Sequence, residues 1–346
     1  MAGPDENHPT RSAESAGFGT GSNYDIVGVT FSGIGISSGG VSYAGLAGGG
    51  DLWMQGNNSS GVYVHEFGHN YGIGHASSWG TSDGSVVGTG SSTEYGDIFD
   101  IMGSGDDPEG QFHTQAKSRL DWLTTAQWAD ATALGSNTYR VHRIDDANTT
   151  SSALRGVRVT KGAGEYYWLG YRTAFTANRS NQKGVYLNWQ RPGQTRCWLV
   201  DTTPTSTDGK NDAALTLGRT YSDAAANLHL TPLTTGGTGA DRWIDVRVNL
   251  GPFPGNSAPV AGVIAGPSSV AARNSITLTT AATDANGDTL SYHWNTKDGL
   301  VHDNAPSLTH TWTTGRTYLG HSEKSLAKLP DPAAPGLPPS GRPDAS

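Results

Sequence analysis

The chain has one cysteine, three methionines and no concentrated block of lysine or arginine, and each scarcity removes a class of function. Cys197 alone can close no internal disulfide and can anchor no cysteine-rich metal cluster, so it reads as a half-buried strand residue. With 23 Lys+Arg against 31 Asp+Glu, a formal net charge of −8 and a pI near 5.7, there is no basic footprint for nucleic acid or for an anionic membrane surface. No run of about eighteen apolar residues is present to span a bilayer. The opening residues, MAGPDENHPTRSAESAGFGTGSN, show neither the basic start nor the apolar core of a secretory signal.

Glycine is what the chain has in excess: 48 of 346 residues, about twice the usual ~7% share, which announces many turns. The length allows two or three domains, each with its own core. Residues 1–23 are polar, small and aperiodic, and read as a disordered lead-in. Order is expected to begin at YDIVGVTFSGIG, where Ile26, Val29 and Phe31 alternate with smaller residues as in a strand. VSYAGLAGGGDLWMQG reads as a second extended segment, and residues 41–54 as an edge strand along which a peptide could lie through main-chain hydrogen bonds. SSGVYVHEFGHNYG fits a helix capped by its serine pair, with Val62, Phe67 and Tyr71 at helical spacing beside His65 and His69. The glycine-serine stretch 77–93 reads as a long loop. HTQAKSRLDWL is expected to form a second helix with Ala116, Leu120 and Leu123 on one stripe, and His113 is placed either to cap it or to touch a substrate.

From about residue 137 the apolar period falls to two. TYRVHRI, LRGVRVT, EYYWLGYRTAF, GVYLNWQR, TRCWLVD, LHLTPL and WIDVRVNL predict an all-β, sandwich-like domain. The expected division is therefore 24–136, 137–250, a linker at 251–257, a β module at 258–318 and a proline-rich disordered tail at 319–346.

The densest chemistry lies at residues 65–75, HEFGHNYGIGH, which hold three of the eleven histidines and a glutamate. On a helix, positions i and i+4 share a face, so His65 and His69 can aim their rings at one point. On a continuing helix His75 would lie about 9 Å further along and about 240° around from His69, outside any common metal bond. The helix must stop, and Gly72 permits it by adopting a left-handed conformation that lets the chain turn back with a third ligand. Three neutral imidazoles leave a tetrahedral Zn(2+) with one open position, the layout of a catalytic site. Glu66, next to the first ligand, can take a proton from a water there.

These residues spell H-E-x-x-H-x-x-G-x-x-H, which resembles the signature of the metzincin zinc proteases. DIFDIMGSG places Met102 twenty-seven residues after His75, where such proteases carry a methionine turn beneath the metal. HEFGHNYGIGHA, EYGDIFDIMG, GQFHTQAKSRLDWL, LVDTTP and DAALTLGRTYSD are similar, in that order, to successive blocks of the gametolysin family of secreted endopeptidases. The resemblance covers roughly residues 24–250. It implies an α+β catalytic domain, His65, His69 and His75 as metal ligands, Glu66 as base and Met102 as the turn residue. It also implies a protein or peptide substrate from a matrix or cell wall, and an extracellular location. Tyr95 and Asp97, just before the turn, are candidates for lining the substrate side, or for simple turn residues. Two departures stand out: about forty plausible residues precede His65 where the family has a longer upper subdomain, and Ser104 stands where some metzincins carry a tyrosine.

The segment APVAGVIAGPSSVAARNSITLTTAATDANGDTLSYHWNTKDG resembles the Ig-like domains of polycystic-kidney-disease (PKD) type. Asp284, Asn286 and Asp288 have the alternate spacing of Ca(2+) ligands, which a tight hairpin also uses; Asp83, Asp106 and Asp107 are the other acidic candidates. Both ends of the chain read as truncated, which would explain the missing signal. The whole is expected to be multidomain: a metzincin-like α+β domain with a partial upper subdomain, an all-β sandwich-like domain and a partial Ig-like module. Two functions compete, a zinc endopeptidase and an inactive matrix- or surface-binding protein that retains a protease fold. The oligomeric state is not encoded in any feature above.

Overall fold

The computed structural model describes residues 25–33, 43–56, 59–105, 110–146, 152–176, 178–206, 208–251, 259–285, 290–292, 294–296, 300–301, 305–314 and 327–328. The lead-in 1–23 and linker residues 252–257 lie outside them, as do Asp106, Asp107, Asn286 and Asp288 and all of the tail but 327–328. Among the described residues the protein is mostly β-sheet with few helices, and no helix is long and apolar enough to cross a membrane. The chain forms two compact units, the first comprising the described residues up to Ser77 with Thr93–Phe112, the second Ser78–Ser92 and those from His113 onward. It therefore crosses between units at three points, whereas the change of period predicts one boundary near residue 136.

The first unit holds a three-stranded sheet in the order β1-β3-β2, with β1 (Val27–Phe31) parallel to β3 (Asp51–Gln55) and β2 (Gly45–Gly48) antiparallel to it. The single edge strand expected over 41–54 is thus two strands. Gly49 and Gly50, at φ 66° and 93°, reverse the chain tightly, so β2 lies at the edge and β3 in the centre. Leu52 and Met54 point inward and are buried. Helix α1 (Ser60–Asn70) follows. Its spacing predicts an inward apolar stripe, yet Phe67 and Tyr71 are exposed, while Glu66 and Gly68 are buried. The usual helix pattern is thus inverted.

The second unit contains an eight-stranded sheet ordered β5-β4-β11-β10-β9-β8-β6, with β12 (Leu215–Thr216) paired to β10 off that path. Its strands are β4 (Ser77–Thr81), β5 (Gly90–Thr93), β6 (Trp128–Asp130), β8 (Gly156–Gly162), β9 (Glu165–Gly170), β10 (Gly184–Gln190) and β11 (Cys197–Val200). A four-stranded sheet, β13-β14-β15-β7, contributes Val141, Leu228, Leu230, Ile244, Val246 and Val248 to the core that also holds Val157, Leu169, Val185 and Leu187. These strands are β7 (Asn137–His142), β13 (Tyr221–Asp223), β14 (Leu228–Gly236) and β15 (Trp243–Leu250). Alternation sends one face of most of these strands into this shared core, while β10 and β11 are buried on both faces. Cys197 is wholly buried in β11 rather than half-buried.

The expected loop at 77–93 is a hairpin, β4–β5, joined to the large sheet. Trp79 anchors it by meeting Trp189 edge-on at 5.2 Å, and Val86 and Val87 pack on the same core. With one large apolar residue in each of so few positions, the sequence offers no period to read. Helix α2 (Thr114–Arg119) is capped by His113, whose Nδ1 accepts from Ala116 N at 3.1 Å. Two more short helices are α3 (Ala131–Leu134) and α4 (Arg179–Gln182).

Farther along, β16 (Val260–Ala265), β17 (Ser275–Thr283) and β21 (Ser307–Thr311) form a sheet over Trp294 and Leu308. Two small ladders accompany it: β18 (Leu290–Ser291) pairs with β22 (Ala327–Lys328), and β19 (Trp294–Asn295) with β20 (Leu300–Val301). Residues 327–328, expected in the disordered tail, are therefore in strand pairing.

Candidate metal centre

Helix α1 begins after Ser59, which takes the cap position without a side-chain bond to the first turn. Its end is built more tightly. Gly72 sits at φ 77°, its N–H donates to His69 O at 2.9 Å, and Ile73 N–H donates to Gly68 O at 2.9 Å. That paired return is a Schellman closure, which needs a left-handed residue where Gly72 stands. Asn70 ties the same end to the β2–β3 turn, accepting from Gly50 N at 3.0 Å and donating to Asp51 O at 3.1 Å.

The reversal brings the three rings together. His69 Nε2 lies 3.1 Å from His65 Nε2 and 3.1 Å from His75 Nε2, and the potential ligand atoms all fall within 4.8 Å of one another. The opposite nitrogens fix the tautomers. His65 Nδ1 meets Ile101 O at 2.8 Å and His69 Nδ1 meets Ile73 O at 2.9 Å; a carbonyl can only accept, so each Nδ1 carries the proton. His75 Nδ1 is 2.7 Å from Glu94 Oε1 and donates to that carboxylate. Three Nε2 lone pairs thus face one point with no proton among them. Such an arrangement repels itself unless a cation lies between, and zinc–nitrogen bonds of ~2.0–2.1 Å in a tetrahedron would set neighbouring nitrogens about 3.3 Å apart. The donor set fits a divalent ion of the zinc type. Burial holds His65 and His69 below the ordinary imidazole range, which favours the neutral form a metal needs.

Glu66 is only 6% exposed, and burial pushes its carboxyl up to about 7. Its neighbour is the edge strand: a Cβ on Gly45 would stand 2.7 Å from Glu66 Oε1 and 2.8 Å from Glu66 Cγ, so glycine makes room for the carboxylate. Met102 is fully buried beneath α1. A side chain at Gly68 would collide with Met102 Sδ and come within 2.9 Å of Phe112 Cε1, so glycine is needed here too. Met102 O accepts from Ala76 N at 2.9 Å, and Met102 N donates to Asp100 Oδ1 at 2.8 Å. One turn therefore supports His65 through Ile101 O and the neighbour of His75 through Met102 O.

Tyr95 lies on the rings. Its centroid is 3.9 Å from that of His75 and 5.9 Å from that of His65, and its backbone is left-handed at φ 57°. Burial, with the Glu94 and Glu66 charges, pushes its phenol up. Asp97 is placed differently: it is buried, and Oδ1 accepts from Phe99 N at 3.0 Å within the loop that carries Met102. Glu94 and the Ile101 carbonyl escape sequence reasoning, because nothing in the spacing links residue 94 to 75 or 101 to 65. Asp83, a calcium candidate, instead accepts from Ser85 N at 3.0 Å in a hairpin turn.

Among known families, a PKD domain model matches residues 256–320, which encloses the module expected at 258–318. No curated protein and no solved structure matches the chain.

Proposed function

We propose that this chain is a zinc-dependent endopeptidase acting on extracellular proteins, with His65, His69 and His75 as ligands and Glu66 as general base. One observation carries the reading: three imidazoles locked with their lone pairs convergent, next to a buried carboxyl whose pKa is near neutrality. Zinc held there would polarise a peptide carbonyl and acidify a water. Glu66 then takes the proton from the attacking water and returns it to the leaving nitrogen, a task suited to a carboxyl that ionises near pH 7. The Tyr95 ring walls the His75 side and holds that imidazole in orientation. The metzincin likeness of the motif and of the Met102 turn supports the same assignment.

The PKD match favours a second reading, in which the β modules bind a surface or matrix and the metal unit is inert. One experiment separates the two. Metal content is measured on the purified chain, together with cleavage of casein, with a chelator and with Glu66→Gln. Near-stoichiometric zinc with cleavage lost in both controls is expected; full zinc without cleavage selects the binding protein, and cleavage that survives Glu66→Gln refutes the mechanism.

A further inference from the structure

The second unit carries a hollow of about 360 Å³ lined by Ser92, Arg191, Pro192, Gln194, Arg196 and Trp198. Its two arginines differ from three others in this protein that hold carboxylates. Arg140 pairs with Asp245 at 2.9 Å, Arg143 with Asp145 at 2.6 Å and Arg158 with Asp130 at 2.5 Å. Among the described residues, no carboxylate pairs with Arg191 or Arg196. Arg191 is held by aromatic faces instead, its guanidinium carbon lying 5.2, 5.1 and 5.6 Å from the ring centres of Trp79, Trp189 and Trp198. Stacking engages the flat face of a guanidinium and leaves its edge N–H donors available, already oriented. The nearby Glu165 is engaged elsewhere, accepting from Trp189 Nε1 at 3.1 Å and lying 3.4 Å from Lys161 Nζ. In a chain of net charge −8, two cations left open on one hollow define a local anion site.

The hollow adjoins a strand edge. Ser92, whose Oγ accepts from Trp198 Nε1 at 2.6 Å, belongs to β5, the terminal strand of the eight-stranded sheet. β5 reads Gly-Ser-Ser-Thr, with neither a charge nor a proline to block pairing, and its residues are largely exposed. A strand added there would lie about 4.8 Å from β5 and alternate its side chains toward the face that Ser92 shares with the arginines.

We propose that this edge and hollow bind an acidic peptide segment in extended form, its main chain pairing with β5 and a Glu or Asp carboxylate entering between Arg191 and Arg196.

The test uses the full chain carrying Glu66→Gln, so that no probe is cut, and the blocked peptide Ac-TETETET-NH2, followed by tryptophan fluorescence and calorimetry. Saturable binding is expected, weakened at least tenfold by Gln in place of Glu, by N-methylation of alternate peptide nitrogens, and by Arg196→Gln. Arg191→Gln should act similarly, and Arg196→Gln, which leaves the tryptophan stack intact, keeps the test decisive if that variant misfolds. Equal affinity for the Gln peptide, or no effect of Arg196→Gln, overturns the proposal. So does tighter binding of an oligogalacturonate, which would mark a glycan site, and so does full competition by millimolar sulfate, which would mark a bare anion site.

Discussion

Replacing Gly68 with alanine tests how the ligand helix and the methionine turn depend on each other. The new Cβ would stand 2.9 Å from Phe112 Cε1 and 3.1 Å from Met102 Cε, with a deeper overlap on Met102 Sδ. Ordinary carbon contacts are ~3.5–4.0 Å, so helix and turn must separate by roughly an ångström. Overpacking of this kind costs about 1–3 kcal/mol, while alanine in a helix interior returns about 1 kcal/mol over glycine. The apoprotein should therefore lose no more than about 2 kcal/mol. Metal affinity should suffer more, because the displaced turn carries the Ile101 carbonyl that orients His65 and the Met102 carbonyl that holds Ala76 beside His75. Disturbing such outer partners weakens metal binding by about 10- to 100-fold. Zinc affinity is read by competition with a chromophoric chelator, and apo stability by urea unfolding, for Gly68→Ala, Met102→Ala and the double variant. A coupling of at least about 1 kcal/mol between the two sites is expected, because removing the thioether restores room. Unchanged zinc affinity in Gly68→Ala, with strictly additive effects in the double variant, would refute the reasoning.

Three further outcomes follow from the same geometry. Glu94→Gln removes a charge-assisted partner from His75 and should weaken zinc binding by about tenfold while leaving turnover at saturating zinc nearly unchanged, which metal titration of activity will show. Gly72→Ala puts a Cβ on a residue at φ 77°, at a cost of about 1–2 kcal/mol, and chemical denaturation should find Gly72→Asn less harmful. The Glu66 carboxyl is raised from 4.5 to about 7, so the folded apoprotein holds this proton more tightly than the unfolded chain. Its stabilising contribution is complete below pH 4.5 and is lost as pH rises to 7, by up to about 3 kcal/mol. Wild-type apoprotein should therefore lose stability relative to Glu66→Gln across that window, and parallel pH curves for the two would contradict the burial argument.

The strands between 137 and 250 were legible because half-buried strands alternate, and Val157–Val159, Leu228–Leu230 and Ile244–Val248 keep that alternation over one shared core. The histidine cluster was legible because a one-turn spacing followed by a helix-stopping glycine is a local geometric statement. What stayed hidden depends on distant partners. Trp79 is a lone aromatic in a polar stretch until Trp189 is placed against it. Glu94 has no pattern at all until His75 arrives 2.7 Å away. The outward Phe67 and Tyr71 mislead because α1 gives its inner face to Glu66 and Gly68, so chemistry and glycine occupy positions that apolar side chains hold in a structural helix.

The segment Ser78–Ser92 belongs to the second unit, although it lies in sequence between His75 and Tyr95 of the first. A single cut in the gene therefore cannot release the histidine-bearing unit free of that hairpin. Protein engineers wishing to express that unit alone would have to excise the hairpin and splice Ser77 to Thr93 with a short bridge. A ribosome, likewise, finishes the histidine trio before the polypeptide that completes its surroundings has been made.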